Sequence, residues 1–275
     1  MSKRTSIDIL GVKIDIITKK QLNNTILEHV SKKQTKPLVI FKPYVEFLSI
    51  ASRNEGIRKL LNKSDINAAD SVALQWAASY LYGKPKISPG FLHAYYSLFV
   101  RMQNKAWLNQ ILPDRMSGID QSIPLLEMAN KAKLRVGIIG GPENTQTTLN
   151  QMNARFKNII FFVWSGYFEP YEEHSLVKEV AREKLDILFC AMGFPKQEKF
   201  IINNKNSLNA KVIIGEGGSF DYDQLGGKIK RAPIWVRNIG FEWLWRLILQ
   251  PRRLGRQMAI PAFIARVRKQ KLEQK

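Results

Sequence analysis

The chain has a single cysteine, Cys190, so no disulfide can form within it, and the apolar neighbours Leu188, Phe189 and Ala191 mark it as a small buried side chain. No apolar run reaches the roughly 20 residues that a membrane-spanning helix needs. The opening residues, Met1-Ser2-Lys3-Arg4-Thr5, lead into alternating apolar and polar positions and not into the apolar stretch of a signal peptide. These absences predict a reducing, cytoplasmic setting. His93 and His174 stand without neighbours at metal-ligand spacing and no cysteine pair exists, which argues against a structural zinc site. Neither GxxxxGK[ST] nor GxGxxG occurs, so ATPase and dinucleotide-binding functions lose their strongest support.

Acidic residues are also in short supply. Against 43 Lys and Arg there are 23 Asp and Glu, a formal net charge of +20. Such an excess predicts affinity for something anionic: nucleic acid, acidic lipid or a phosphorylated substrate. Charge alone does not choose among them. What the chain has in quantity is apolar residues, 45% of 275, enough for one large core, or for a core with a smaller piece appended.

Ser6 to Ile16 alternates in period two around Gly11, the pattern of a hairpin, and Thr18 then caps a helix with Leu22, Ile26 and Val30 on one face. Short β-rich runs follow at Leu38–Phe41, Val136–Ile139, Ile159–Trp164, Ile187–Ala191 and Val212–Ile214, with helical segments between most of them. The expected fold class is α/β: a Rossmann-like, largely parallel sheet with helices on both faces, preceded by the β-hairpin. One domain is expected over residues 1–230, with a helical insertion at about 84–113. Residues 231–275 read as a basic, aromatic helical appendage, because Lys228 to Lys275 holds many cations against two acids, Glu242 and Glu273, with Trp235, Trp243 and Trp245 interleaved.

In open α/β sheets ligands bind beyond the carboxyl ends of the strands, where loops and free backbone N–H groups converge. Each strand here runs into a polar or glycine-rich loop: Lys42-Pro43-Tyr44, Gly140-Gly141-Pro142-Glu143, Gly166-Tyr167-Phe168, Gly193-Phe194-Pro195-Lys196-Gln197-Glu198 and Gly215-Glu216-Gly217-Gly218-Ser219-Phe220-Asp221. Glycine and proline punctuate any loop, but five such loops on one rim mark it as a site. Gly215, Gly217 and Gly218 would let backbone approach an anion closely, a nucleotide diphosphate suits this architecture, and Gly193, Gly217 and Gly218 are candidate donor contacts. Asp70 stands at the start of the helical segment Val72–Tyr82, as an ordinary N-cap or as a functional carboxylate. Asp221-Tyr222-Asp223 has the form of a metal-holding DxD, a pattern short enough to arise often by chance.

Asp70 after Ser64-Asp65-Ile66-Asn67, Arg115-Met116-Ser117-Gly118-Ile119-Asp120, Gly166-Tyr167-Phe168, Gly193 to Glu198, Gly217 to Asp221, Lys228 to Pro233, Glu242 to Arg246 and Gln250 to Arg253 together resemble the WecG/TagA/CpsF family of glycosyltransferases over most of the chain. The resemblance implies a metal-independent, inverting transfer from a UDP-sugar, typically of N-acetylmannosamine type, to a saccharide on polyprenyl diphosphate in bacterial surface polysaccharide synthesis. It implies no cofactor and no metal. Carried over by position, Asp70 resembles the general base, and Arg115, Gln197 and Asp221 resemble donor contacts. Arg246, Arg253 and Arg256 match appendage arginines suited to the departing diphosphate, or else form a solvated basic helix or one drawn to anionic lipid. Arg231, like Lys228 and Lys230, fits that role and equally a solvated basic face. The implied partners are a UDP-sugar donor, a lipid-diphosphate-linked acceptor and the anionic inner face of the cell membrane, where the protein would be peripheral. No nucleic acid is implied, and a homo-oligomer is left open.

The chain departs from the family pattern at Lys42-Pro43-Tyr44, where a small residue such as threonine is usual. Lys42 is either a donor contact, paired with a carboxylate on a uronic-acid sugar (ManNAcA-like or glucuronic), or a cap on a strand end. The insertion has apolar residues enough to dock on the core, on another subunit or on a bilayer. Phe263 to Lys269 suits an interfacial helix or a frayed polar tail. The alternative function is a protein that binds nucleotide or nucleic acid without catalysis, motivated by a pI near 10.0 and the appendage aromatics.

Overall fold

The computed structural model describes residues 5–33, 36–88, 90–101, 104–141, 145–238, 242–251 and 254–274. Ser6–Ile9 (β1) and Val12–Asp15 (β2) form the expected antiparallel hairpin. Leu10 and Gly11 turn it, both at positive φ, the backbone of a two-residue turn whose twist matches its strands. Thr18 caps the helix Lys19–Ser31, and Gln21 completes the capping box.

Leu38–Phe41 (β3), Ile66–Asn67 (β4), Arg135–Gly140 (β5), Ile160–Trp164 (β6), Ile187–Ala191 (β7) and Val212–Gly215 (β8) form a parallel sheet in the order β4-β3-β8-β7-β5-β6. Alternation along each central strand divides the interior in two. Leu38, Ile40, Ile187, Phe189, Val212 and Ile214 face one core, shared with Leu22 and Ile26 of the first helix and with Leu125, Leu126 and Ala129 of the helix Gly118–Lys131. Val39, Phe41, Leu188, Cys190 and Ile213 face the other, with the hairpin and the helices Val45–Ala51, Val72–Tyr82 and Lys196–Asn204. Cys190 is fully buried there, and burial, with Glu198 nearby, raises its thiol pKa far above the ordinary range.

The insertion packs on this second core. Trp107, Leu108 and Leu112 are buried, Trp76 Nε1 donates to Ser97 Oγ at 3.0 Å, and Ser79 Oγ donates to the Trp107 carbonyl at 2.8 Å. Leu92 and Tyr96 remain exposed.

The last helix, Ala259–Glu273, is neither a frayed tail nor an interfacial helix lying apart from the core. Phe263, Ile264 and Val267 are at most 2% exposed, packed among Val45–Ala51, Val72–Tyr82 and Phe91–Arg101. Gln270 reaches the hairpin, its Oε1 accepting from the Leu10 N–H at 2.9 Å. The cations of this helix misdirect the expectation: Phe263, Ile264, Val267 and Lys271 fall on one face at helical spacing, and Arg266, Arg268 and Lys269 lie off it. Among the described residues, no helix is long and apolar enough to cross a membrane.

Candidate active site

A cavity of about 500 Å³ opens beyond the carboxyl ends of β4, β3, β8 and β7. Four strand ends converge on it, as the sheet topology requires of a ligand site. Of the described residues in the loops after β5 and β6, Gly141, Gly166 and Phe168 are outside its lining. The Gly166 carbonyl instead accepts from Lys196 Nζ at 2.9 Å, and that ammonium lies 4.2 Å from the Phe168 ring centroid. The Gly166-Tyr167-Phe168 motif is thus tied to the Gly193 to Glu198 motif as a brace at the cavity's side.

Asp70 lines the cavity, and backbone pairing puts it there. The contact between β3 and β4 continues past the strands, with Ala68 N donating to Phe41 O at 2.9 Å and Asp70 N to Pro43 O at 3.1 Å. Ser71, not Asp70, caps Val72–Tyr82, its side chain accepting from Leu74 N at 3.2 Å. The ordinary capping role is therefore filled by the next residue, and the Asp70 carboxyl is left to the cavity. Burial raises its pKa from 3.8 to about 7; Lys42 and Arg115 pull it down, and Glu216 and Glu242 push it up.

Lys42 and Glu216 form a buried ion pair on the same cavity wall. The parallel register that sets Ile40 beside Ile214 brings position 42 beside position 216. Ser122 bridges the pair, accepting from Lys42 Nζ at 3.3 Å and donating to Glu216 Oε1 at 2.9 Å. Lys42 is therefore no strand-end cap: its ammonium is engaged by a carboxylate of the protein itself.

Gln197 is 2% exposed and acts as a staple. Its Oε1 accepts from Gly193 N at 3.2 Å and from Gly217 N at 3.1 Å, which joins the loop after β7 to the loop after β8. Its Nε2 donates to Glu198 Oε1 at 2.8 Å, and this fixes which way the amide points. The N–H groups of Gly193 and Gly217, expected among the donor contacts, are thus committed to Gln197. Gly217 sits at φ +63°, where a side chain would be strained. Gly118 is glycine for closeness, since a Cβ there would stand 1.6 Å from Ser219 Oγ.

Arginines and acids close the opposite wall. Arg231 pairs with Asp120 at 2.7 Å and with Glu242 at 3.1 Å, and Arg115 pairs with Glu242 at 3.3 Å. Burial raises the Asp120 pKa, but Arg231, by hydrogen bond and charge, holds it below the ordinary value. Arg246 reaches from the helix Glu242–Leu249 to the Gly218 carbonyl at 2.8 Å and to Asp221 at 3.0 Å, with its guanidinium 4.5 Å from the Tyr222 ring centroid. Arg246 and Gly218 line the cavity, whereas Asp221 and Arg231 stand behind it. Arg253, and the Arg256 side chain, lie outside the described residues, as do Pro142 and Glu143.

Glu216, Ser122 and Glu242 were not among the residues expected at the site. The one signal for Glu216 is an acid set between glycines at a strand end. Glu242 stands in the closing motif as one of two acids in a basic stretch.

Two carboxyls, the fully buried Glu198 and the half-buried Asp70, set a pH dependence of stability. Burial raises both Asp70, from 3.8, and Glu198, from 4.5, to about 7. The folded state then holds protons that the unfolded chain has already released. Their contribution is complete below about 4 and is lost as pH rises through about 7. Urea unfolding followed by far-UV circular dichroism should show stability declining across that interval, and Asp70→Asn with Glu198→Gln should flatten the slope. An unchanged slope would refute the assignment.

Compared with known proteins, the sequence matches the glycosyl transferase WecG/TagA/CpsF family over residues 7–106 and 100–275, two stretches that meet inside the insertion. It is 28% identical over 271 residues to the N-acetylglucosaminyldiphosphoundecaprenol N-acetyl-beta-D-mannosaminyltransferase of Staphylococcus aureus strain MRSA252, covering 98% of this chain and 95% of that protein. The protein of the same name in strain NCTC 8325 / PS 47 is 27% identical over the same coverage.

Proposed function

Because the chain belongs to the WecG/TagA/CpsF family of glycosyl transferases, we propose that it moves a sugar from a UDP-sugar to a saccharide on polyprenyl diphosphate, by a single inverting displacement. The observation that carries the proposal is Asp70, a carboxyl with a pKa of about 7 in a cavity that Arg115 and Arg246 also line. A base poised near neutral pH is matched to removing a hydroxyl proton as that oxygen attacks. The acceptor oxygen forms a bond to the anomeric carbon and gives its proton to Asp70. The bond from that carbon to the diphosphate breaks, and UDP departs with the electron pair.

The charge that grows on the leaving diphosphate needs fixed cations. Arg115 and Arg246 are placed to meet it, with Arg231 behind them and Arg253 and Arg256 as further candidates from the appendage. The transfer needs no metal in this mechanism: arginines supply the positive charge, and Asp221 accepts from Arg246. Gln197, with Gly193, Gly217 and Gly218, shapes the donor pocket. An uncharged donor of N-acetylmannosamine type is favoured over a uronic acid, because the Lys42 charge is already met by Glu216.

A membrane-bound acceptor suits the surface. Leu247, Met258, Ile260 and Pro261 line the cavity, and Ile234, Trp235, Ile248, Leu254 and Met258 on the same part of the chain are exposed. We place the protein peripherally on the inner face of the cell membrane, with those side chains and the basic stretch toward the lipid.

The test is UDP release from purified protein given a panel of UDP-sugars and a short-chain lipid-diphosphate N-acetylglucosamine. Acceptor-dependent release with one donor is expected. Nucleotide binding with no turnover of any donor would favour a binding protein instead.

A further inference from the structure

Lys42 and Glu216 are buried charges on the cavity wall, with side chains 2% and 0% exposed. A buried ion pair is costly to assemble and is weak support for stability in itself. This one stands on the cavity wall that Asp70 shares, on two neighbouring strand ends, with Ser122 holding both partners.

Without Lys42, Asp70 and Glu216 would be two carboxylates lining one cavity, and such a pair resists ionising together. Without Glu216, the Lys42 ammonium would fall to Asp70 and hold it as a weakly basic carboxylate. The other charged or titratable groups at the cavity are Tyr44, Arg115, Tyr222, Glu242 and Arg246. Tyr44 follows β3 and is hydrogen-bonded to Glu46. Arg115 precedes the helix Gly118–Lys131, Tyr222 follows β8, and Glu242 and Arg246 belong to one helix. Glu242 and Arg246 have partners of their own in Arg115, Arg231 and Asp221.

We propose that Lys42 and Glu216 are positioning residues that act as a unit on Asp70, each cancelling the other's charge so that the base keeps the proton affinity the transfer requires. The proposal rests on Asp70 being the base, and it assigns Lys42 to the protein's own acid instead of to a charged sugar. The pair touches the chemistry only through Asp70, so its mark is on the pH profile.

The experiment is the pH dependence of kcat and kcat/KM for the wild type, Lys42→Met, Glu216→Gln and the double variant, with Asp70→Asn as reference. Lys42→Met should move the acidic limb to higher pH by about a unit, the scale on which one nearby buried charge acts. Glu216→Gln should move it to lower pH and lower the plateau kcat, since a weaker base accepts the proton less readily. The double variant should return the limb to its wild-type position. Neutral pairs of similar volume are often tolerated where a charge pair was buried, so this variant keeps the test open if either single variant fails to fold.

A double variant whose limb is displaced as far as that of Lys42→Met would overturn the proposal, as would single variants with unmoved limbs. If Asp70→Asn retains both the limb and the rate, the assignment of Asp70 fails instead, and the two failures are told apart. A donor ranking that shifts toward uronic acids on Glu216→Gln alone, with no movement of the limb, would return Lys42 to sugar recognition and also overturn the proposal.

Discussion

Replacing Asp70 by asparagine is expected to lower the transfer rate by about a hundred- to ten-thousand-fold, the range that a positioned general base contributes. The substitution keeps shape and removes the proton acceptor, so UDP-sugar affinity, measured by calorimetry, should stay within a few-fold of the wild type. The wild-type rate should fall about tenfold per unit as pH drops below about 7, where Asp70 takes up its proton. In the variant that limb should vanish. There is a second signature. Above pH 7 the native protein holds a charged carboxylate that burial disfavours, so the asparagine variant should be the more stable protein although it is the poorer catalyst. A variant that transfers at the wild-type rate would remove Asp70 from the chemistry.

The second large effect concerns stability. Phe263→Ala should cost about 3–5 kcal/mol, the usual penalty for emptying an aromatic site in a packed core. Phe263 is fully buried in the core that also holds Trp76, Tyr80 and Phe47. Denaturant unfolding should show a lower midpoint with an unchanged slope. A loss below about 1 kcal/mol would mean that the last helix is not part of the cooperative unit. Truncation after residue 256 should be read the same way: lost liposome binding would report an emptied core, not a missing lipid contact. Membrane attachment is better tested by substituting exposed Trp235 or Ile248.

The fold was legible where apolar runs were long. β3, β7 and β8 stand out because strands buried on both faces are apolar throughout. β4 does not, since two residues carry no period; its place is held by Asp65 Oδ2, which accepts from Val39 N at 2.8 Å, and by the ladder that runs on to Asp70. Asp70 itself was readable only through the family resemblance. That it is not the cap depends on Ser71, which looks equally able to cap on sequence alone. Lys42 and Glu216 are 174 positions apart and become neighbours only once β3 is known to lie beside β8. Gln197, expected to touch the donor, lines the cavity, and its hydrogen bonds also staple two loops, a geometry that no spacing announces. The terminal helix was misread because charge was weighed before periodicity.

The link between Gln270 and Leu10 spans 260 positions. The hairpin, made early in synthesis, first meets Asn62, Asn67 and Tyr82, which hydrogen-bond to it, and receives its contact with the helix Ala259–Glu273 last. Ile9, Val12 and Ile14, all fully buried in the finished molecule, belong to the core that the last helix completes with Phe263, Ile264 and Val267. Closure at this separation is slow in entropic terms, and the core that Phe263, Ile264 and Val267 enter stays incomplete until their helix is made. A cell that makes this protein has to protect that incomplete core, and depletion of a ribosome-associated chaperone should lower its soluble yield.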